Sequence, residues 1–246
     1  MDVKTLARAV TPMPLWRTAA YLKQRANARF GKRSYAASGE DLLIAGWLRH
    51  HRHQLADACY VDVGAADPIE LSNTYLLYRA GARGLLIEPD PDQCIKLRAR
   101  RPRDIVVNAG AAFDERRSAR LYRLTSRVFN TFSQESAEST VAISRTWDPR
   151  ERQDIVDTVE IPLIPLSDII RTHLPGRYVH VLSIDTEGVE VPILRSFDLD
   201  LADPDPHVPM IVCVERGEPL ENSFSILRPR GFEFMAGTPS NWLFQK

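Results

Sequence analysis

The sequence predicts an α/β domain built on a mostly parallel β-sheet, with helices on both faces and an antiparallel hairpin at the C-terminal end. Three observations support this class. Strand-like and helix-like segments alternate from residue 57 onward. The strand-like segments are continuously apolar, which is typical of parallel strands buried on both faces. The last two strand-like segments follow each other through Gly237 and Pro239, which indicates a hairpin.

The totals favour a soluble globular protein. The chain has 246 residues, of which 44% are hydrophobic and 26% charged, so it can bury a sizeable core. Its 32 basic and 32 acidic residues cancel, which gives no support for a strongly charged partner. Cys59, Cys94 and Cys213 are widely spaced, so reduced thiols and a cytoplasmic location are expected. The sequence contains no apolar run long enough to span a membrane and no recognisable signal peptide.

Residues 1–34 are predicted to be a basic helical extension, with eight Lys or Arg and a single acidic residue. Apolar residues recur there at helical spacing: Leu15, Ala19, Leu22, Ala26 and Phe30. Such a helix could lie peripherally on an anionic membrane surface, or it could pack against its own domain. The sequence leaves both interpretations open, and it leaves the oligomeric state unknown.

The elements of the domain over residues 35–246 follow in order. Strands are predicted at Cys59–Val63 and at residues 85–87, 105–107, 179–184 and 210–214, and the hairpin strands at 231–235 and 241–244. Helices are predicted at residues 73–79, from Pro91 to Pro102, around 192–195 and at 224–227. Asp90 is expected to cap the second helix, and Cys94, Ile95 and Leu97 to form its inner face. The basic run of residues 98–103 is interpreted as the solvated end of this helix.

Residues 123–158 fit none of these repeats. The segment is polar, rich in Ser, Thr and Arg, and contains Phe129, Phe132 and Trp147. We expect it to be an insertion on the substrate side of the domain.

The loop after the first strand, residues 64–68, indicates the type of ligand. Ligands of open α/β sheets bind at the carboxyl ends of the strands, where Asp62 and Gly64 are predicted to lie. A dinucleotide-binding loop needs further glycines, but this loop continues through Ala65, Asp67 and Pro68. Proline has no N–H for a phosphate, and an aspartate would repel one. A small zwitterion suits the loop better, because Asp62 or Asp67 can receive its ammonium group.

Two further side chains extend this hypothesis to a nucleoside. Glu88 ends the second strand, where a carboxylate can accept hydrogen bonds from both ribose hydroxyls. Asn108 ends the third strand, where its amide could meet an adenine edge. An amino-acid group, a ribose and an adenine in this order describe S-adenosylmethionine. Asn73 could contact this cofactor or could simply cap the helix that follows it.

The stretches VDVGAADPIELSNTYLLYRAGARGLLIEPDP, LSIDTEGVEVPILRSFD and NWLF resemble the FkbM family of S-adenosylmethionine-dependent methyltransferases over residues 35–246. The resemblance implies a class I methyltransferase (Rossmann-like) fold, with a seven-stranded sheet and an antiparallel C-terminal hairpin. It also implies O-methylation of a hydroxyl on a sugar, glycoside or surface polysaccharide. In the upstream family motif Tyr35, Gly39, Glu40 and Asp41 agree, whereas Ala36-Ala37 replaces the usual Ser-Gln.

With the resemblance included, the predicted cofactor-binding residues are Glu40, Asp62, Gly64, Ala65, Asn73, Thr74, Glu88, Pro89, Asn108 and Ala109.

The segment LSIDTEG carries the predicted chemistry. It places Asp185 at the end of a strand, with Glu187 in the turn that follows. Either carboxylate could take the proton of an acceptor hydroxyl as a general base. Alternatively, both could bind Mg²⁺ or Mn²⁺ together with Glu215, which ends the next strand.

Two other functions remain open at this stage. An NAD(P)-dependent oxidoreductase could use a similar sheet, although the loop glycines and a Tyr-x-x-x-Lys pair are absent. A non-catalytic adaptor that keeps the methyltransferase fold is the other. Methylation of nucleic-acid amines is not expected, since DTEG replaces the Asn/Asp-Pro-Pro-aromatic run such enzymes use.

Overall fold

The computed structural model describes residues 34–201 and 210–246. The predicted basic helix at residues 1–34 lies outside this range except for its last residue, so its structure and membrane contact stay predictions. Within the described residues, no helix combines the length and the apolar character needed to span a bilayer.

Ten strands and seven α-helices are described. The strands are β1 (Cys59–Val63), β2 (Arg83–Glu88), β3 (Ile105–Asn108), β4 (Gly110–Ala112), β5 (Ser118–Leu124), β6 (Ile155–Pro165), β7 (Val181–Ile184), β8 (Ile211–Glu215), β9 (Glu233–Gly237) and β10 (Asn241–Gln245). The helices are α1 (Glu40–His50), α2 (Tyr75–Arg79), α3 (Pro91–Arg100), α4 (Gln134–Ser144), α5 (Leu166–His173), α6 (Glu190–Ser196) and α7 (Leu220–Leu227).

Seven strands form the main sheet in the order β3-β2-β1-β7-β8-β10-β9. The first five of these are mutually parallel, and β10 runs antiparallel to both β8 and β9. This is the predicted class I methyltransferase arrangement, including the antiparallel C-terminal hairpin. All seven strands of this sheet were predicted, and each boundary lies within two residues of the predicted one.

Each face of the sheet buries its own hydrophobic core. Because side chains alternate along a strand, Cys59, Val61 and Val63 of β1 pack on one face, with α5 and α6. Tyr60 faces the other side, where α1 and α2 pack. Asp62 shares the Tyr60 face by the same alternation, and the parallel register sets it beside Ser183 of β7. A polar pair is thereby built into the sheet.

The structure corrects two predictions about burial. Ile95 was expected on the inner face of α3, yet it is 64% exposed, whereas Cys94 and Leu97 are buried. Strand β3 was expected to be fully buried, but it is the edge strand and Ile105 is exposed. An apolar residue type alone does not reveal where a sheet ends.

Residues 123–158 contain regular structure that was not predicted. They hold the end of β5, a short 3₁₀ helix at Arg127–Phe129, helix α4 and the start of β6. Strand β6 pairs with β4 on one side and β5 on the other in a second, three-stranded sheet. The strand pattern was hidden because β6 is largely exposed and begins with mixed polar and apolar residues.

The loops after β1 and β7 meet at Gly64. This glycine has φ of +84°, and a Cβ atom there would lie 1.7 Å from the carbonyl oxygen of Asp185. The Asp185 N–H donates to the carbonyl of Val63 at 2.9 Å, which extends the β1–β7 ladder into the loops. Only glycine fits this backbone conformation and this contact.

We therefore expect Gly64→Ala to lower the free energy of unfolding by about 3 kcal/mol or more, because it adds a backbone clash to the cost of positive φ. Gly176→Ala is the matched control, since Gly176 also has positive φ (+66°) but no heavy atom within 4 Å of an added Cβ. It should cost only about 1–2 kcal/mol. Urea denaturation of both variants measures the difference, and equal losses would contradict the role given to the Gly64 contact.

Candidate functional site

A cavity of about 360 Å³ opens at the carboxyl ends of the parallel strands. The loops after β1, β2, β7 and β8 form its walls, together with β4 and residues 127–132. It lies at the carboxyl end of β1, which β2 and β7 flank on its two sides. The strand order reverses at this point, and open α/β sheets bind ligands there. Its volume is in the range of small-molecule sites.

Most predicted site residues lie on the cavity wall. They are Asp62, Gly64, Ala65, Asn73, Glu88, Pro89, Ala109, Asp185, Glu187 and Glu215. They come from six separate segments of the chain, which the sheet topology brings together.

Three predicted cofactor residues do not line the cavity. The carboxylate of Glu40 is buried, and it accepts hydrogen bonds from the Ser38 N–H and the Thr238 hydroxyl. Thr74 is also fully buried. The Asn108 amide donates to the carbonyls of Glu88 and Pro89 at 3.0 and 2.8 Å. The structure thus gives all three a supporting role behind the wall instead of a place on its surface.

Glu88 connects the first two loops of the site. One carboxylate oxygen accepts from the Ala66 N–H at 2.8 Å and the other from the Asp90 N–H at 2.7 Å. Burial raises the pKa of Glu88 to about 7, although these two N–H groups act in the opposite direction. Carboxylate oxygens can accept more than one hydrogen bond each, so Glu88 retains acceptor capacity toward the cavity.

A cluster of three carboxylates forms the opposite part of the wall. Asp185, Glu187 and Glu215 each offer an oxygen atom, and these oxygens lie within 4.8 Å of one another. Burial, followed by repulsion from neighbouring carboxylates, raises the pKa of all three, that of Glu187 to about 8. Like charges this close favour either a shared proton or a bound cation.

The turn between β7 and α6 presents this cluster. Glu187 adopts a left-handed φ of +59°, and its N–H donates to Glu215 at 3.1 Å. Glu190, at the start of α6, holds this turn in place. One of its carboxylate oxygens accepts hydrogen bonds from the N–H groups of Thr186 and Gly188. Its other oxygen is buried and has no hydrogen-bond partner. Glu190 was not among the predicted residues, since its place at the start of α6 reads as an ordinary helix position.

Residues 127–132 cross the cavity between its two ends; we call this segment the strap. At one end Asn130 donates to the carboxylate of Asp90 at 2.9 Å, close to Glu88. At the other end the Thr131 hydroxyl donates to the carbonyl of Glu187 at 3.0 Å. Arg127 lines the cavity, and its Nη1 is buried without a hydrogen-bond partner. Sequence reasoning placed the 123–158 segment near the site but could not select these residues from its polar composition.

Comparison with known proteins identifies the family. The family model described as the methyltransferase FkbM domain matches residues 62–234, which is well over half of the chain. That range includes all ten predicted residues that line the cavity, from Asp62 to Glu215. The comparison with curated proteins gives no match.

Several solved structures are similar at low identity. A TehB-like SAM-dependent methyltransferase from Corynebacterium glutamicum is 12% identical, with 93% of this chain and 97% of that chain covered and a TM-score of 0.42. An O-methyltransferase from Bacillus cereus in complex with SAH is 9% identical, with 98% and 94% covered and a TM-score of 0.39. Fibrillarin from Aeropyrum pernix, with bound S-adenosyl-L-methionine, is 11% identical, with 83% and 73% covered and a TM-score of 0.41. The assignment of the family rests on the family model alone.

The carboxylate cluster predicts how stability depends on pH. The pKa of Glu187 rises on folding from 4.5 to about 8, so the folded state binds more protons between these values and stability falls as pH rises through them. With EDTA present, we expect the free energy of unfolding to decrease from about pH 5 to pH 8.5, and Glu187→Gln to make this decrease smaller. Urea denaturation at several pH values is the measurement.

Glu221→Gln is the control, because Glu221 is an exposed carboxylate outside the cluster. It should reproduce the pH dependence of the unmodified protein. If the stability of Glu187→Gln fell as steeply with pH as that of the unmodified protein, the pKa of Glu187 would not be raised in the folded state.

Proposed function

The chain belongs to the FkbM methyltransferase family, and from this premise we propose that it is an S-adenosylmethionine-dependent O-methyltransferase acting on a sugar, glycoside or surface polysaccharide. The observation that carries the proposal is the joint position of Glu88 and of the Asp185, Glu187 and Glu215 cluster on the wall of one cavity. A ribose-binding carboxylate at one end and proton-accepting carboxylates at the other suit a nucleoside cofactor beside a hydroxyl acceptor.

The residues present fit the cofactor. Glu88 has acceptor capacity for the ribose hydroxyls, and Pro89 and Ala109 offer apolar surface for an adenine. Gly64 also lines the cavity, and its lack of a side chain lets the loops after β1 and β7 meet there. Asp62 and Asn73 lie on the wall beside this loop, where a carboxylate and an amide suit an amino-acid group.

Bound S-adenosylmethionine would supply an electrophilic methyl group on a sulfonium. The protein must then hold the acceptor oxygen in line with that methyl and remove its proton. Asp185 or Glu187 can do this as a general base, because burial raises the pKa of each and so increases its basicity. The strap lies over the cavity between these residues and Glu88, so it is suited to limit the acceptors that enter.

A divalent cation is the alternative way to activate the hydroxyl. Asp185, Glu187 and Glu215 would hold it, and hard oxygen ligands favour Mg²⁺ or Mn²⁺. Glu190 interacts electrostatically with Glu215, so a further carboxylate lies beside these three. A cation held there would acidify the hydroxyl and orient it.

The cofactor proposal is tested by calorimetric titration with S-adenosylmethionine, S-adenosylhomocysteine and NADH. We expect the adenosyl ligands to bind and NADH not to bind. Glu88→Ala should weaken S-adenosylhomocysteine at least about 10-fold, since it removes charged hydrogen-bond acceptors. Glu221→Ala, which changes an exposed carboxylate, should leave the affinity unaltered. Binding of NADH in place of the adenosyl ligands would favour an oxidoreductase instead.

The catalytic proposal is tested by methyl transfer to a panel of sugars, glycosides and polysaccharides. Asp185→Asn should lower kcat about 10²- to 10⁴-fold if it is the general base, while the affinity for S-adenosylhomocysteine changes little. An unchanged kcat would remove Asp185 from the mechanism. Loss of activity in EDTA that Mg²⁺ or Mn²⁺ restores would favour the bound cation, whereas full activity in EDTA would favour the carboxylate base alone.

A further inference from the structure

Arg101 is a fully buried arginine on the far side of the cavity wall. The sequence had suggested that residues 98–103 are the solvated end of a helix, and for Arg101 the structure contradicts this. Its Nε donates to Asp104 at 2.8 Å in an ion pair whose two side chains are both inaccessible to solvent. Tyr60, Tyr75 and Tyr78 surround the guanidinium, with ring centroids 5.3 to 6.0 Å from its Cζ. Burying a charge costs free energy unless hydrogen bonds and an opposite charge offset it. The partners of Arg101 therefore indicate its role.

Nη2 of Arg101 donates to the Tyr60 hydroxyl at 3.0 Å, and two further hydrogen bonds reach the loop that precedes α2. Nη2 donates to Thr74 Oγ1 at 3.0 Å, and Nη1 donates to Ser72 Oγ at 3.3 Å. These two residues flank Asn73, which lines the cavity and donates to Ser183 Oγ at 3.2 Å. Arg101 therefore holds both neighbours of a cavity residue while remaining outside the cavity itself.

Thr74 connects Arg101 to Asp62 through two hydrogen bonds. Its Oγ1 accepts from Arg101, so its own proton is free for another partner, and it donates that proton to Asp62 Oδ2 at 2.6 Å. Asp62 lies on the cavity wall and is 4% exposed. A continuous chain of hydrogen bonds thus runs from the buried guanidinium to the carboxylate.

The positive charge also acts on Asp62 directly. Burial raises the pKa of Asp62, and the charge of Arg101 and the Thr74 hydrogen bond oppose that rise. Three other acidic groups interact electrostatically with Asp62: Glu88, Asp104 and Asp185. The charge of Arg101 is the largest of the influences that lower the pKa of Asp62.

We propose that Arg101 is a positioning residue for the amino-acid end of the cofactor. Through Thr74 it orients Asp62 to receive the ammonium of the methionine moiety, and through Ser72 and Thr74 it fixes Asn73 beside it. The inference rests on the proposed function. It separates the cofactor site into two parts: the adenosine end, which depends on Glu88, and the amino-acid end, which depends on Arg101.

Two ligands distinguish these parts. S-adenosylhomocysteine contains both ends, whereas 5′-methylthioadenosine lacks the ammonium and the carboxylate. Calorimetry should show that Arg101→Gln and Thr74→Val each weaken S-adenosylhomocysteine about 10- to 100-fold, in line with the loss of a charged hydrogen bond. Both variants should bind 5′-methylthioadenosine within about 3-fold of the unmodified protein, since the contacts of Glu88 are unchanged. A residue that merely stabilised the fold would affect both ligands alike.

Thr74→Val keeps the buried charge, so it tests the chain of hydrogen bonds even if Arg101→Gln fails to fold. Thr74→Ser should restore the affinity, because it returns the hydroxyl. Arg103→Gln is the matched control: Arg103 is the neighbouring arginine, donating to the Tyr78 carbonyl and stacking on the Tyr78 ring, without contact to Ser72 or Thr74. It should leave both affinities unaltered.

The outcomes separate the two proposals. If the unmodified protein binds both ligands and the Thr74→Val variant weakens them equally, or weakens neither, the positioning role is overturned and the proposed function stands. If the unmodified protein binds neither ligand, the proposed function fails and the positioning role fails with it.

Discussion

The contact between Gly64 and the carbonyl of Asp185 is the constraint on which the rest of the site depends. It lets the loops after β1 and β7 approach more closely than any side chain would allow. On the other side of β1, the N–H groups of Gly64 and Ala65 donate to the carbonyl of Ile87. The loop after β1 is therefore fixed between both neighbouring loops, and the side chains that follow each strand converge on one cavity.

The second constraint is electrostatic. The cavity gathers five carboxylates on its wall at Asp62, Glu88, Asp185, Glu187 and Glu215. The protein offsets this negative charge locally in different ways: Glu88 is held by backbone N–H groups, whereas Asp62 is held through Thr74 by a buried guanidinium. The carboxylates near Asp185 have no such cation within hydrogen-bond range among the described contacts, and this leaves them basic. The wall thus divides into parts suited to binding and a part suited to proton transfer.

The sequence predicted the main sheet well because its strands carry strong local signals. Buried, largely apolar runs such as Cys59–Val63, and the capping pair Asp90 and Pro91, are recognisable from neighbouring residues and are present in the structure. The small sheet was missed because β6 is exposed and lacks such a run. Exposed strands are stabilised by pairing with distant residues, here β4 and β5, which local composition does not encode.

The sequence by itself determined the fold class and the carboxylates at the strand ends, since parallel strands necessarily bring their carboxyl ends to one edge. Only the tertiary structure decided which side chains face the cavity. Asn108 and Thr74 lie as close to strand ends or loops as Glu88 does, yet they support the wall from behind. Arg101 reads as a surface residue in a basic run and is fully buried. The reason is physical: side-chain direction and burial depend on packing against segments far away in the chain, and residue spacing along the chain does not carry that information.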